Sequence, residues 1–170
     1  DVDDMYNYAA MLYKGDGIDV DKKEACKYFK MASERGNVNA MYNYALMLDA
    51  GEGVMIDRKE AAKYFKIAAE KGDIESMYYY GMMLYEGRGI PMNKKEAGKY
   101  LKMAADAGYA NAMKDYSYML SNGDGIPIDK KEAKRYSELV SELKNWHNCF
   151  AKFYKISWYF KLSNCLYLKK

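Results

Sequence analysis

Residues 40–62 read AMYNYALMLDAGEGVMIDRKEAA, and close copies of this stretch occur four times in the 170-residue chain. The copies open at Met5, Met41, Met77 and Met113, and each continues into a Gly-x-Gly pair and a Lys-Glu-Ala element. A fixed period of 36 residues is typical of a stacked array, in which each unit buries its apolar face against the next one. The repeat therefore predicts an all-α solenoid.

The first half of each unit has the pattern of an amphipathic helix. In residues 37–72, Asn37 is placed to cap this helix, and Gly51 is placed to end it in the left-handed conformation. The predicted buried face comprises Ala40, Met41, Tyr44, Ala45, Met47 and Leu48, which recur at helical spacing. A turn at Gly51-Glu52-Gly53-Val54 then reverses the chain.

The second half of each unit begins with a strong helix-start signal. Asp57-x-x-Glu60 has the spacing of a capping box, in which each side chain bonds a free backbone N–H of the first turn. The other three boxes are Asp21/Glu24, Asn93/Glu96 and Asp129/Glu132. The predicted buried face is Ala61, Tyr64, Phe65 and Ala68. Gly36, Gly72 and Gly108 end the first three second helices, whereas Lys144 in the same position predicts that the fourth continues.

This pattern resembles the Sel-one-like repeat family, relatives of the tetratricopeptide repeat with a slightly longer unit. The residues that carry the resemblance are Ala40, Tyr44, Ala45, Leu48, Gly51, Gly53, Val54, Asp57, Lys59, Glu60 and Ala61. Tyr44 stands where the family more often has Leu, and Leu48 where it often has Tyr. The resemblance covers residues 1–145, as units 1–36, 37–72, 73–108 and 109–145. It implies antiparallel helix pairs in a right-handed superhelix, and a scaffold or adaptor that holds proteins or peptides in a concave groove.

Comparing the four units separates packing positions from candidate recognition positions. One stripe is unchanged in type: Met5/Met41/Met77/Met113, Tyr8/Tyr44/Tyr80/Tyr116 and Leu12/Leu48/Leu84/Leu120. A neighbouring stripe on the same helices varies, and we call it the variable stripe. Its members are Asn7, Ala10, Lys14; Asn43, Leu46, Ala50; Tyr79, Met82, Glu86; and Asp115, Tyr118, Asn122.

We predict that the variable stripe lines the groove. Asn7, Asn43, Tyr79 and Asp115 would hydrogen-bond a protein or peptide partner, and Leu46, Met82 and Tyr118 would supply apolar contacts. The alternative is that these positions vary because they are unconstrained and solvated.

Charge argues against nucleic acid as a partner. The net charge of +3 conceals a division, because residues 1–143 hold all 24 acidic residues and only 21 of the 27 Lys and Arg. A nucleic-acid footprint requires a net basic surface. The lysines of the second helices are therefore predicted to form a solvated outer face: Lys23, Lys27, Lys30, Lys59, Lys63, Lys66, Lys95, Lys99 and Lys102. The Gly-x-Gly pairs are predicted to be turns and not phosphate-binding loops. In three of the four pairs the residue between the two glycines is an acid, which would repel an anion.

Nothing in the sequence assembles a catalytic or metal-binding set, and we predict no enzyme activity, cofactor or metal. His147 is the only histidine, and no acidic residue follows Glu142 to orient it. Cys26, Cys149 and Cys165 lack metal-like spacing, and Cys26 is predicted to pack as a small residue. Some cysteine-rich members of the family are associated with β-lactam binding or hydrolysis, so the resemblance leaves such a hydrolase as the alternative. A cytoplasmic location is predicted, with the secretory pathway as the alternative.

Residues 146–170 break the repeat. They are aromatic and basic, and from Lys144 onward the chain has six lysines and no acid. Three roles remain open for this tail: a cap on the last repeat, an anchor to an anionic membrane surface, or an end without a selected function. The charge-free runs are too short for the roughly 20 residues of a membrane-spanning helix.

Overall fold

The computed structural model describes residues 1–143 and 145, and within them the chain forms eight helices and no strand. Seven helices have equal length: α1 Val2–Lys14, α2 Lys22–Glu34, α3 Val38–Ala50, α4 Arg58–Glu70, α5 Ile74–Glu86, α6 Lys94–Asp106 and α7 Ala110–Asn122. The eighth, α8, covers 130–143. Each helix packs against the next one in sequence, so the predicted all-α solenoid of four helix-turn-helix units is confirmed.

Side chains cap the first helix of three units, as predicted. The side-chain oxygens of Asp1, Asn37 and Asp73 accept the backbone N–H of Asp3, Ala40 and Ser76, whereas the Tyr109 side chain forms no capping bond. A cap of this kind stabilises a helix by about 1 kcal/mol. At the other end, Gly15, Gly51, Gly87 and Gly123 adopt left-handed φ values between 68° and 76°.

The capping boxes of the second helices are only half formed, which corrects the prediction. Asp57 Oδ1 accepts the backbone N–H of Glu60 at 2.9 Å, and the other three boxes do the same. The reciprocal bond is missing because the backbone N–H of Asp57 already donates to the carbonyl of Leu48 at 3.0 Å. The Glu60 carboxylate instead lies 3.5 Å from Nζ of Lys63. The bond to Leu48 ties the start of each second helix to the first helix of its unit.

The predicted core positions are buried. All six residues predicted for α3 are buried, and so are Ala61, Tyr64, Phe65 and Ala68 of α4. Tyr44 and Tyr64 meet edge-to-face with ring centroids 4.9 Å apart, and the pair recurs in the other units. Tyr8 on α1 is the exception, at 42% exposure. Cys26 is buried as predicted, which raises the pKa of its thiol.

The second glycine of each Gly-x-Gly pair fits one unit against the one before it. A Cβ on Gly53 would lie 2.2 Å from the carbonyl oxygen of Lys22, and equivalent clashes would arise at Gly89 and Gly125. Gly17, in the first unit, has open space at the same point. These turns therefore set how closely the units approach each other.

The end of the fourth unit differs from the other three. Leu143 and Asn145 are helical at positions where the first three second helices have already ended. This agrees with the predicted extension of α8. Tyr136 on α8 packs edge-to-face on Tyr116 and hydrogen-bonds the carboxylate of Asp106. The predictions for the tail, residues 146–170, lie outside the described residues.

Candidate functional site

Half of the variable stripe lines two cavities. Each cavity lies at a junction between units, where the first helix of one unit meets both helices of the unit before it. Four lining positions of the first cavity recur two repeats later in the second, as Tyr13/Tyr85, Phe29/Leu101, Asn43/Asp115 and Leu46/Tyr118, so the two cavities are equivalent places in the solenoid. The junction between them has a different structure.

Cavity 1 lies between units 1 and 2 and has a volume of about 200 Å³. It is lined by Tyr13, Phe29, Asn43, Leu46, Met47, Ala50 and Glu52. The buried ring of Phe29 belongs to its wall. Asn43 donates from Nδ2 to the carbonyl of Asn39 at 2.9 Å, which leaves its side-chain oxygen available. Cavity 1 is therefore mainly apolar, with one amide and one carboxylate.

Cavity 2 lies between units 3 and 4 and has a volume of about 310 Å³. It is lined by Met82, Tyr85, Leu101, Asp115 and Tyr118. Leu101 is fully buried, whereas Tyr118 is 59% exposed. The Tyr78 hydroxyl interacts with the Asp115 carboxylate, and burial raises the pKa of Asp115. Cavity 2 therefore combines an apolar wall, two tyrosines and a desolvated carboxylate.

At the middle junction, between units 2 and 3, Tyr79 packs inward. Its ring stacks on Phe65 with a centroid distance of 5.2 Å and an interplanar angle of 9°. It also packs on Tyr42 and Tyr78, at 5.8 and 5.6 Å. Tyr79 was predicted to hydrogen-bond a partner. In the structure its ring packs on three aromatic rings of the chain itself. The variable stripe thus has open positions on both sides of an aromatic cluster.

Each junction also carries a polar pair, 39 residues apart, which we call the junction pair. The Tyr13 hydroxyl donates to Glu52 Oε2 at 2.6 Å, and the Tyr85 hydroxyl donates to Asp124 Oδ2 at 2.5 Å. A cation completes each group: Lys22 Nζ lies 3.1 Å from Glu52, and Lys94 Nζ lies 2.7 Å from Asp124. These bonds lower the pKa of Glu52, through Tyr13 first and then Lys22.

The middle junction pair has an acid in place of the tyrosine and a base in place of the acid. Nη1 of Arg88 lies 2.9 Å from Oδ2 of Asp49, whose side chain is 13% exposed. Arg58, the equivalent of Lys22, also turns to Asp49, with Nε 3.6 Å from Oδ1. The middle junction is therefore held by an acid on α3 of unit 2 and a base in the turn that follows α5 of unit 3.

Sequence comparison predicted the stripe but missed the other walls of the cavities. The prediction missed five wall residues: Tyr13, Phe29, Glu52, Tyr85 and Leu101. Glu52 was assigned to a turn, Phe29 and Leu101 are equivalents of the packing residue Phe65, and Tyr13 and Tyr85 lie outside the stripe. A signal for the junction pairs was available. Asp49 stands where units 1 and 3 have Tyr13 and Tyr85. Arg88, 39 residues later, stands where the other two junctions have an acid. Two changes that occur together at the same junction indicate that the two positions are in contact.

The predicted stripe residues make different contributions to these cavities. Asn7 is exposed on α1 and lines neither cavity. Asn43 and Leu46 come together in cavity 1, and Met82, Asp115 and Tyr118 come together in cavity 2.

The lysines of the second helices are exposed, as predicted. Several pair with acids on the same helix, such as Lys27 with Glu24 at 3.0 Å and Lys102 with Asp106 at 2.8 Å. Within the described part of the chain, no cluster of His, Cys, Asp and Glu is arranged to hold a metal ion. In the same residues, no helix has both the length and the apolar character needed to cross a membrane.

Four consecutive segments match the family model of the Sel1 repeat, at residues 2–37, 38–73, 74–109 and 110–145. The chain belongs to the Sel1 repeat family. The matched segments begin one residue later than the predicted units. Comparison with curated proteins finds no match.

Solved structures of Sel1-like repeat proteins have the same fold. A Sel1 repeat protein of Oxalobacter formigenes is 26% identical, with a TM-score of 0.78 over 84% of this chain and 58% of that one. The c5321 protein, a protective antigen of uropathogenic Escherichia coli strains, is 25% identical, with a TM-score of 0.81 over 84% of this chain and 30% of that one. This chain therefore spans less than two thirds of either structure.

A cysteine-rich relative is similar over a shorter stretch. The cysteine rich protein B of Helicobacter pylori is 26% identical, with a TM-score of 0.51 over 54% of this chain and 69% of that one. Among the described residues of the present chain, Cys26 is free and buried.

Proposed function

We propose that this Sel1 repeat chain is a non-catalytic adaptor that holds a protein or peptide segment on its variable stripe. Sel1 repeat proteins are commonly scaffolds for protein–protein interaction, and this chain has four such repeats. The observation that carries the proposal is the arrangement of cavities 1 and 2. Both open on the first helices, and both are lined by residues that differ between units.

Burial separates the variable stripe from the packing stripe. The Met, Tyr and Leu positions that keep their type are buried from unit 2 onward, because stacking constrains them. Stripe residues such as Ala50 and Tyr118 are exposed at the cavity rims. Exposed aromatic and apolar groups beside a preformed cavity are typical anchoring points for a partner.

Two single substitutions, one at each cavity, test the proposal in a pull-down with the full chain as bait. Ala50→Arg places a long charged side chain at the rim of cavity 1, and Tyr118→Ala removes the exposed wall of cavity 2. Each variant should fail to capture the partner protein that the wild-type chain captures, and its helical circular dichroism should be unchanged. The matched control is Ala107→Arg, an exposed position at the end of α6 where unit 1 has Arg35. Capture that survives Ala50→Arg and Tyr118→Ala would refute the proposal.

We also propose a cytoplasmic location for the protein and, as one possible role of residues 146–170, anchoring to an anionic membrane surface. Sedimentation of the full chain with anionic liposomes, beside a chain that ends at 145, tests the second of them. Equal binding by both chains would remove the anchoring role.

A further inference from the structure

The Asp115 carboxylate of cavity 2 forms no direct ion pair among the residues that the structure describes. The Tyr78 hydroxyl bonds it, and the charge of the neighbouring Lys114 acts on it without direct contact. The acids of the neighbouring junction pairs are different, since Glu52 is neutralised by Lys22 and Asp124 by Lys94. Burial raises the pKa of Asp115, so its charged form is held at a cost that a nearby cation would relieve.

The rest of cavity 2 suits the stem and head of a long cationic side chain. Met82 and Leu101 offer apolar surface for methylene groups, as such stems commonly require. Tyr85 and Tyr118 present aromatic rings on the same cavity, and ring faces attract cations. One face of Tyr85 already has Lys94 Nζ at 4.9 Å from its centroid. The exposed ring of Tyr118 remains free for an incoming cation.

We propose that cavity 2 binds a lysine or arginine side chain of the partner segment, with Asp115 as its counter-ion. This inference rests on the proposed function and specifies the chemistry of the partner. An apolar side chain is a poorer occupant, because it would cover the Asp115 carboxylate without pairing it.

Cavity 1 selects a different anchor. It has Asn43 where cavity 2 has Asp115, and its carboxylate, Glu52, is already bonded to Tyr13 and Lys22. Phe29, Leu46 and Met47 surround a space that fits an apolar side chain. Tyr79 and the Asp49–Arg88 pair occupy the middle junction. The partner segment therefore has two separated anchoring side chains, an apolar one in cavity 1 and a basic one in cavity 2.

The test uses a library of random 16-residue peptides displayed on phage, selected against the immobilised full chain. Peptides selected by the wild type should share one apolar residue and one Lys or Arg at a constant separation. The matched variant carries Asn43→Asp together with Asp115→Asn, which exchanges the charge between cavities 1 and 2. Selection on this variant should reverse the order of the apolar and basic residues along the peptide.

Calorimetry on a synthetic selected peptide supplies the quantitative check. Changing its shared basic residue to alanine should weaken binding to the wild type about tenfold or more, since a desolvated charge pair is lost. The same change should have little effect on binding to the Asp115→Asn variant. A thermal melt of this variant serves as the control that it folds.

The outcomes separate the inference from the proposed function. Selected peptides without a shared basic residue, or with equal affinity for wild type and Asp115→Asn, would overturn the inference alone. A selection that yields no peptide, as when the face is occupied by a second copy of the chain, would overturn both.

Discussion

Arg88 donates from Nη1 to Oδ2 of Asp49 across the middle junction, at 2.9 Å. The first and third junctions have a tyrosine and an acid at these two positions. The array therefore joins its units by the same geometry with two different chemistries. Because mismatched chemistries leave an unpaired charge, we infer that the two residues of each junction pair stabilise the stacking of their two units together, as a coupled pair.

A double-mutant cycle at the middle junction tests this coupling. Asp49→Tyr alone leaves Arg88 with Glu86 as its remaining acidic partner, and Arg88→Glu alone places two acids together, so each should destabilise the protein by about 1–3 kcal/mol. The double variant recreates the tyrosine–acid pair of the other junctions, with Arg58 placed like Lys22. It should recover at least about 1 kcal/mol relative to the sum of the single changes, measured by urea unfolding. Strict additivity would show that the pair is not coupled.

The inter-unit glycines give a prediction with a built-in control. Gly53 and Gly17 have φ values of 70° and 75°, so alanine is strained at both positions. Only the Cβ at Gly53 meets backbone, at the Lys22 carbonyl. Gly53→Ala should therefore cost roughly 1–3 kcal/mol more than Gly17→Ala in chemical denaturation. Equal losses would mean that the units do not approach as closely as the structure shows.

Ser76 is fully buried, and its hydroxyl has no hydrogen-bond partner among the described residues. Units 2 and 4 have Ala40 and Ala112 at the same position. Ser76→Ala should therefore stabilise the protein by about 1 kcal/mol, because an unsatisfied hydroxyl is removed. Ser33→Ala is the control, since the Ser33 hydroxyl donates to the Lys30 carbonyl at 2.7 Å. A lower melting temperature for Ser76→Ala would contradict the prediction.

Glu52 makes a pH-dependent contribution to stability. Its pKa is below the ordinary value of 4.5, mainly because Tyr13 and then Lys22 bond the charged form. A lowered folded-state pKa gives stability that is complete above about 4.5 and is lost as the pH falls through the folded-state value. Thermal melts should show Glu52→Gln less stable than wild type at pH 7, with the difference closing as the pH falls below the lowered folded-state pKa of Glu52. A constant difference would exclude this origin.

Most of the fold was predictable because a repeat states the same constraint four times. The burial of Tyr44, Phe65 and their equivalents follows from helical spacing, and the helix ends follow from Asn37 and Gly51. The capping boxes were predicted in full, but only one of the two bonds forms in each. Local sequence does not show that the backbone N–H of Asp57 is bonded to Leu48, since that bond depends on how the two helices pack.

The candidate site was predictable only as a stripe. Internal variation singled out Asn43, Met82 and Asp115, but it did not distinguish Tyr79, whose ring lies on Phe65. Whether a stripe position is open or filled depends on side chains from three helices of two units. Tyr13 and Tyr85 were missed for the same reason, because within their own unit they resemble ordinary packing residues.

The central claim is that a partner segment binds in cavities 1 and 2, and methionine-methyl NMR of the full chain tests it most directly. Met47 and Met82 line the two cavities, whereas Met55 and Met103 are 88% and 47% exposed and line neither of them. In a titration with a selected peptide, we predict that the Met47 and Met82 methyl signals shift and that those of Met55 and Met103 do not, with each signal assigned by a Met→Leu variant. Shifts at Met55 or Met103 while Met47 and Met82 stay fixed would contradict it.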